Sequence, residues 1–156
     1  MKKAVLIFSL AILSLAAFGG EARAQKGIEP QAQQRDPLLE QDALRNLAVS
    51  QHYFTTKKAY KAVLLRTEEI IAAHPDFSRM DEVLYLIGMS NFYLSEGKGK
   101  QKITSAADKE KFAPEKLRED AVANLSLLVE KFPQSKFKPD AEKTLKVLEN
   151  KNVGRK

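Results

Sequence analysis

The sequence lacks cysteine and tryptophan altogether, and its 156 residues include only two histidines. Without cysteine the chain can form no disulfide and offers no thiol to which a lipid could be attached. Packing alone must therefore stabilise the fold. The two histidines, His52 and His74, belong to no HxxxH or HExxH pattern, and they are expected on a helix surface and at a helix end. This excludes the common histidine-based metal sites.

Catalytic patterns are equally scarce. No GxSxG elbow occurs, and the stretch Gly97-Lys98-Gly99-Lys100 lacks the GxxxxGK[ST] spacing of a phosphate-binding loop. Acidic pairs such as Glu68-Glu69 lie among lysines and arginines, as is typical of solvated helix surfaces. No segment alternates between apolar and polar residues as a half-buried strand does. These absences predict an all-α protein that is not an enzyme and uses no cofactor and no metal.

The first residues have the pattern of a bacterial secretory signal peptide. Met1-Lys2-Lys3 is positively charged, residues 4–18 are almost entirely apolar, and Ala22-Arg23-Ala24 provides small residues at the cleavage positions. The apolar run is short for a membrane span, and an uncleaved anchor is the alternative to a cleaved signal peptide. We predict a signal peptide at 1–24, with cleavage between Ala24 and Gln25, followed by a flexible polar leader at 25–37.

Export also restricts the partners. The formal net charge is only +6, and an exported protein rarely meets nucleic acid, so no nucleic-acid partner is expected. The predicted location is the periplasm.

Five amphipathic helices are predicted within a domain at 38–150. The first, at about 38–55, begins after Asp36, with Pro37 at its first position, and carries Leu44, Leu47, Ala48, Gln51 and Phe54 at helical spacing. Prolines and glycines delimit the others, which are expected at about 60–74, 79–95, 114–132 and 139–150. A basic insertion loop at 97–113 contains a weak helical turn near 106–111, and a basic tail occupies 151–156.

The third helix carries two apolar stripes, so it is expected to lie sandwiched between neighbouring helices. Gly88, in its middle, is expected to permit the close approach of another helix. Ser78 and Asp81, three residues apart, resemble a capping box at the start of this helix.

The spacing of small and large residues resembles the tetratricopeptide repeat, whose period is about 34 residues. Ala121, Leu125, Leu128 and Pro133 match the second helix of a repeat, and Leu84, Ile87 and Gly88 match a first helix. The resemblance implies antiparallel helix pairs stacked into an α-solenoid of about two repeats plus a capping helix.

Longer stretches resemble BamD, the outer-membrane assembly lipoprotein family, over about 40–149. They are Ile70-Ile71-Ala72-Ala73-His74-Pro75, Asp81-Glu82-Val83-Leu84-Tyr85-Leu86-Ile87-Gly88 and Phe132-Pro133-Gln134-Ser135-Lys136-Phe137. The resemblance implies a non-catalytic scaffold for other envelope proteins, namely barrel-assembly components or peptide segments. BamD proteins carry their lipid on a cysteine, which this sequence lacks, so no direct lipid anchor is expected and a partner would hold the protein at the outer membrane.

The C-terminal repeats of the Tol-Pal-associated family YbgF are similar, so a role in coordinating the cell envelope or division remains the alternative.

Aromatic side chains on the first three helices are the candidate contacts for a partner. Phe54, Tyr85 and Phe92 fit the apolar stripes and are expected to fill the core. The candidate binding residues are Tyr53, Tyr60, Asn91 and Tyr93. The basic segment 98–116 is a second candidate contact, by charge.

Overall fold

The computed structural model describes residues 36–153, with side chains as far as Asn150. The predicted signal peptide, the cleavage site between Ala24 and Gln25, and leader residues 25–35 lie outside the described residues. The described chain is helical and contains no strand. Its six helices are Pro37–His52 (α1), Tyr60–Ala73 (α2), Met80–Ser95 (α3), Ala106–Lys111 (α4), Pro114–Lys131 (α5) and Lys138–Val153 (α6).

The helices stack as the repeat pattern predicts. α1 packs against α2, α2 against α3, α3 most extensively against α5, and α5 against α6. The fourth and fifth predicted helices are therefore α5 and α6, and α4 is the helical turn expected within the 97–113 segment. α6 extends to Val153, three residues into the segment predicted as a basic tail. The all-α, tetratricopeptide-like architecture is confirmed.

α1 begins at the residue that was predicted from the Asp36 cap. The Asp36 carboxylate accepts a hydrogen bond from the Leu38 amide at 2.9 Å, and Pro37 occupies the first helical position. Of the residues at helical spacing, Leu47 is fully buried, whereas Leu44 is 38% exposed and Ala48 is also exposed. The side chains buried on α1 are those of Ala43, Leu47 and Ser50.

The end of α1 widens into a π-helical turn, Tyr53–Lys57, and the chain then turns at Lys58, whose φ of 53° is left-handed. This is the break expected between the first two helices. The Ala59 amide donates to the Tyr53 carbonyl at 3.0 Å, which joins the turn to the start of α2.

The two faces of α3 are both buried, as its double stripe predicts. Val83, Leu86 and Leu94 join a core with α1 and α2, whereas Leu84 and Met89 join a second core with α5 and α6. Phe54, Met80, Tyr85 and Tyr93 pack against both cores. A single helix therefore connects the two halves of the fold.

Gly88 lies where α3 meets α5. A Cβ atom at this position would stand 2.5 Å from Cγ of Leu125, whose side chain is fully buried. No real Cβ contact is that short, so the helix spacing requires glycine here. The predicted role of Gly88 is confirmed.

The capping box expected at Ser78 and Asp81 is wrong. Arg79 precedes α3 without a side-chain cap. Ser78 Oγ donates instead to Glu40 on α1, and Asp81 accepts a hydrogen bond from Ser135 Oγ at 2.6 Å. Both side chains link α3 to other parts of the fold, because tertiary partners compete with local capping.

Segment 97–113 is attached to α2 by side-chain contacts. The Gln101 side-chain oxygen accepts from the Ala62 amide at 3.1 Å, and Lys61 Nζ lies 2.7 Å from Asp108. Phe112 is 6% exposed and belongs to the first core. The segment predicted as an insertion loop is therefore packed against the start of α2.

Candidate functional site

A groove between α3 and α6 is the candidate site. Its volume is about 290 Å³, and α3 contributes Tyr85, Met89, Phe92 and Tyr93 to its wall. α6 contributes Asp140, Lys143, Thr144 and Val147. The residues of α3 recur at three- and four-residue steps, so they share one helix face. One wall is therefore mainly aromatic and apolar, and the other carries a carboxylate, an ammonium group and a hydroxyl.

Tyr85 joins the two walls. Its ring stacks on Phe137 with centroids 4.6 Å apart and planes inclined by 20°. Burial, followed by the negative charge of the neighbouring Asp140 carboxylate, raises the pKa of Tyr85 from 10.0 to about 12. This phenol stays protonated at neutral pH and orients the carboxylate at the end of the groove.

Thr144 and Met89 close the floor of the groove. The Thr144 hydroxyl donates to the Asp140 carbonyl at 2.9 Å and lies 3.4 Å from Sδ of Met89. Val147 and Lys143 remain exposed at the rim. The open surface of the groove thus combines an aromatic strip, a methyl-bearing rim and one flexible cation, a combination suited to contact with a polypeptide.

The predicted contact residues lie in different parts of the structure, and not all of them line the groove. Tyr93 lines the groove and lies 5.0 Å, between ring centroids, from Tyr60. Tyr60 is only 6% exposed, and burial raises the pKa of its phenol. It fills the core between α1 and α2. Tyr53 is half-buried and packs against the first core, outside the groove.

Asn91 lies on the other side of α3. It is 4% exposed and lines a second cavity of about 270 Å³ between α2 and α5, together with Leu64, Thr67 and Asn124 among others. Residues 91 and 93 are two positions apart on a helix, so their side chains diverge by about 200°. A ligand in the α3–α6 groove therefore meets Tyr93 and not Asn91.

Two residues expected in the core also line the groove. Tyr85 and Phe92 pack partly against the core and still present an edge to the groove. The four residues from α6 had no signal of their own in the sequence, because they become a wall only when α6 packs against α3. Met89 belongs to the second apolar stripe of α3, and that stripe is the feature of the sequence that indicates the α3 wall of the groove.

The described part of the chain contains no group of three or more residues suited to holding a metal ion. Across residues 36–153, no helix combines the length and the apolar character needed to cross a membrane.

The sequence of the chain identifies its family. Residues 32–152 match the family model YfiO, described as outer membrane lipoprotein. The chain belongs to the YfiO family. The match covers every helix from α1 to α5 and nearly all of α6, and it confirms the resemblance to the BamD-like lipoproteins. The protein is therefore a BamD-like protein of the cell envelope. No curated protein and no solved structure is matched by the chain.

Proposed function

We propose that this YfiO-family protein is a non-catalytic scaffold that holds a polypeptide of the outer-membrane protein assembly machinery in its α3–α6 groove. The observation that carries the proposal is the groove itself, with Phe92 and Tyr93 on one side and Lys143 and Val147 on the other. Stacked helix pairs commonly bind an extended segment or a helix in this way.

The chemistry of the groove supports binding more than catalysis. Its one carboxylate, Asp140, lies beside Tyr85, whose raised pKa makes the phenol a poor proton donor. The exposed surface of the groove is about half polar and half apolar, so apolar contact area and polar contacts would both contribute to the affinity. Lys143 would orient a partner through an acidic group.

Membership in the YfiO family supports outer-membrane assembly over the Tol-Pal alternative. The proposed location is the periplasm, where the chain would be held at the outer membrane by a protein partner.

Site-specific photo-cross-linking in the full chain tests this proposal. A photoreactive phenylalanine at Val147, on the groove rim, should form adducts with subunits of the barrel-assembly machinery. The same residue at Glu149, which is exposed on α6 and does not line the groove, is the matched control. Equal adducts from both positions would reject the groove, and adducts with Tol or Pal proteins from Val147 would favour the alternative pathway.

A charge variant gives a second readout. Lys143→Glu should weaken recovery of the cross-linked partner at least several-fold. Lys146→Glu, one turn further along α6 and outside the groove, makes the same change of charge and should leave recovery unchanged.

A further inference from the structure

Five exposed lysines are gathered beside the start of α2, next to the Tyr93 end of the α3–α6 groove, where Lys98 Nζ lies 5.6 Å from the centre of the Tyr93 ring. We name them the lysine cluster: Lys57, Lys58, Lys98, Lys100 and Lys102. They come from two segments that are distant in sequence. The Lys100 amide donates a hydrogen bond to the Lys58 carbonyl at 3.0 Å, which places the two segments side by side.

The backbone beneath the lysine cluster is held in place. Gly99 has a φ of +116°, and a Cβ there would lie 2.9 Å from the Tyr60 ring, so the segment runs directly over this ring. One residue further, Gln101 accepts from the Ala62 amide in the first turn of α2. The cluster is therefore a fixed feature of the fold, and the positive end of the α2 dipole lies close to it.

Acidic residues are absent from both segments. No aspartate or glutamate occurs between Asp42 and Glu68 or between Glu96 and Asp108. Residues 36–153 together contain 19 lysines and arginines against 18 aspartates and glutamates, so the domain as a whole is almost neutral. The rest of residues 36–153 carries 14 lysines and arginines against 18 aspartates and glutamates, so the lysine cluster is a basic patch on an otherwise slightly acidic domain. Lys61, the nearest further lysine, is paired with Asp108 and is not counted in the cluster.

We propose that the lysine cluster binds the phosphate headgroups of an anionic membrane surface. A cluster of four or more lysines without interspersed carboxylates is the usual electrostatic signature of such binding. Exposed lysines on flexible stems suit a surface of many mobile phosphates better than a single shaped ligand. The family is one of outer membrane lipoproteins, so a lipid surface is close to its members. This contact would orient the domain on the membrane.

Vesicle co-sedimentation of the full chain tests the proposal. Vesicles of phosphatidylethanolamine and phosphatidylglycerol should bind the protein at low salt and release it at high salt, whereas vesicles of phosphatidylcholine should not bind it. The variant with Lys57, Lys98, Lys100 and Lys102 all changed to Gln should bind the anionic vesicles at least about ten-fold more weakly. Lys58 is retained because its backbone is left-handed. A substitution there could change the folding of the turn as well as its charge.

A matched variant separates the effect of the lysine cluster on vesicle binding from the effect of the protein's net charge. Lys109, Lys116, Lys131 and Lys146 are exposed and spread over α4, α5 and α6, and their change to Gln removes the same number of charges. This variant should keep most of the affinity that the unmodified chain has for the anionic vesicles. Equal loss in both variants, or no binding by the unmodified chain, would overturn the proposal.

Competition experiments distinguish binding to a lipid surface from binding to isolated phosphate groups or to an acidic polypeptide. Soluble glycerol phosphate, at the same phosphate concentration as the vesicles, should not displace the protein, since a surface offers many headgroups at once. Displacement would mean that the cluster binds isolated phosphate groups, and tighter binding to an acidic polypeptide than to vesicles would assign it to a protein partner. Either result would overturn the proposal while leaving the groove cross-links unaffected.

Discussion

At the scale of single residues, the contact between Gly88 and Leu125 is the tightest constraint on the fold. Gly88→Ala would add a methyl group 2.5 Å from Leu125 Cγ, and overpacking of this kind costs roughly 1–3 kcal/mol. Alanine also favours a helix by about 1 kcal/mol relative to glycine. We expect the clash to dominate and the urea midpoint to fall.

A double-mutant cycle identifies the cause. Leu125→Ala alone should lower the free energy of unfolding, but it removes the atoms that the new methyl would meet. The double variant should therefore be more stable than the sum of the two single effects predicts. Strict additivity would show that Gly88 does not mark the closest approach of α3 and α5.

Neighbouring leucines on α5 provide a matched pair. Leu128 is fully buried, whereas Leu127 is 40% exposed. Leu128→Ala should cost about 2–5 kcal/mol because it leaves a cavity between α5 and α6. Leu127→Ala makes the same chemical change on the solvent side and should cost far less. Similar losses in thermal or urea unfolding would mean that the face assigned to α5 is wrong.

Tyr85 links stability to pH. Its pKa is raised from 10.0 to about 12, chiefly by burial, so the folded protein holds this proton more tightly than the unfolded chain does. The stabilisation is fully present below pH 10 and is lost as the pH rises towards 12. In Tyr85→Phe the fall in urea midpoint over this range should be smaller, and the tyrosinate absorbance that develops near pH 12 should decrease. Tyr53→Phe, which leaves Tyr85 in place, should retain both features.

At the scale of helices, the Gln101 side chain is one of several contacts that attach segment 97–113 to the start of α2. Gln101→Ala removes the acceptor for the Ala62 amide, a loss of roughly 0.5–1.5 kcal/mol. We expect faster hydrogen exchange in residues 98–105 and at the start of α2, with α5 and α6 unchanged. Gln41→Ala, on exposed α1, is the control. Unchanged exchange near residue 101 would mean that Phe112 and Asp108 suffice to hold the segment.

The positions of the helices were largely predictable, whereas the side chains that form the groove were not. Pro37, Pro75, Pro114 and Pro133 interrupt or start helices by their own covalent geometry, so these boundaries can be read locally. α3 was predictable as a sandwiched helix because its two stripes lie within one segment. The π-helical turn and the α6 wall depend on distant neighbours, which no local pattern contains.

The exposed face of α1 illustrates the same limit. Leu44 is exposed, because α1 packs mainly against α2 and has only limited contact with α3. Ala43 and Ser50, with weaker apolar character, occupy the buried positions instead. At an end of a stack, side-chain hydrophobicity alone does not decide which face is turned inward.

At the scale of the whole domain, the two cores are coupled through α3 and the aromatic side chains beside it. Phe54, Tyr85 and Tyr93 pack against both cores, and α3 contacts α2 and α5 along its length. Short stacked arrays unfold together when the contacts between repeats are as extensive as the contacts within them. We therefore expect a single cooperative transition for residues 36–153.

The absence of tryptophan makes this cooperativity easy to measure. Tyr53→Trp reports on the α1 end, and Phe132→Trp, made in a separate variant, reports on the junction of α5 and α6. After correction for each variant's own stability by circular dichroism, fluorescence and helix content should give the same urea midpoint in both. If the Phe132 probe changed well before helix content was lost, α5 and α6 would be an independent unit. The α3–α6 groove would then open without unfolding of α1 and α2, because its two walls would belong to different cooperative units.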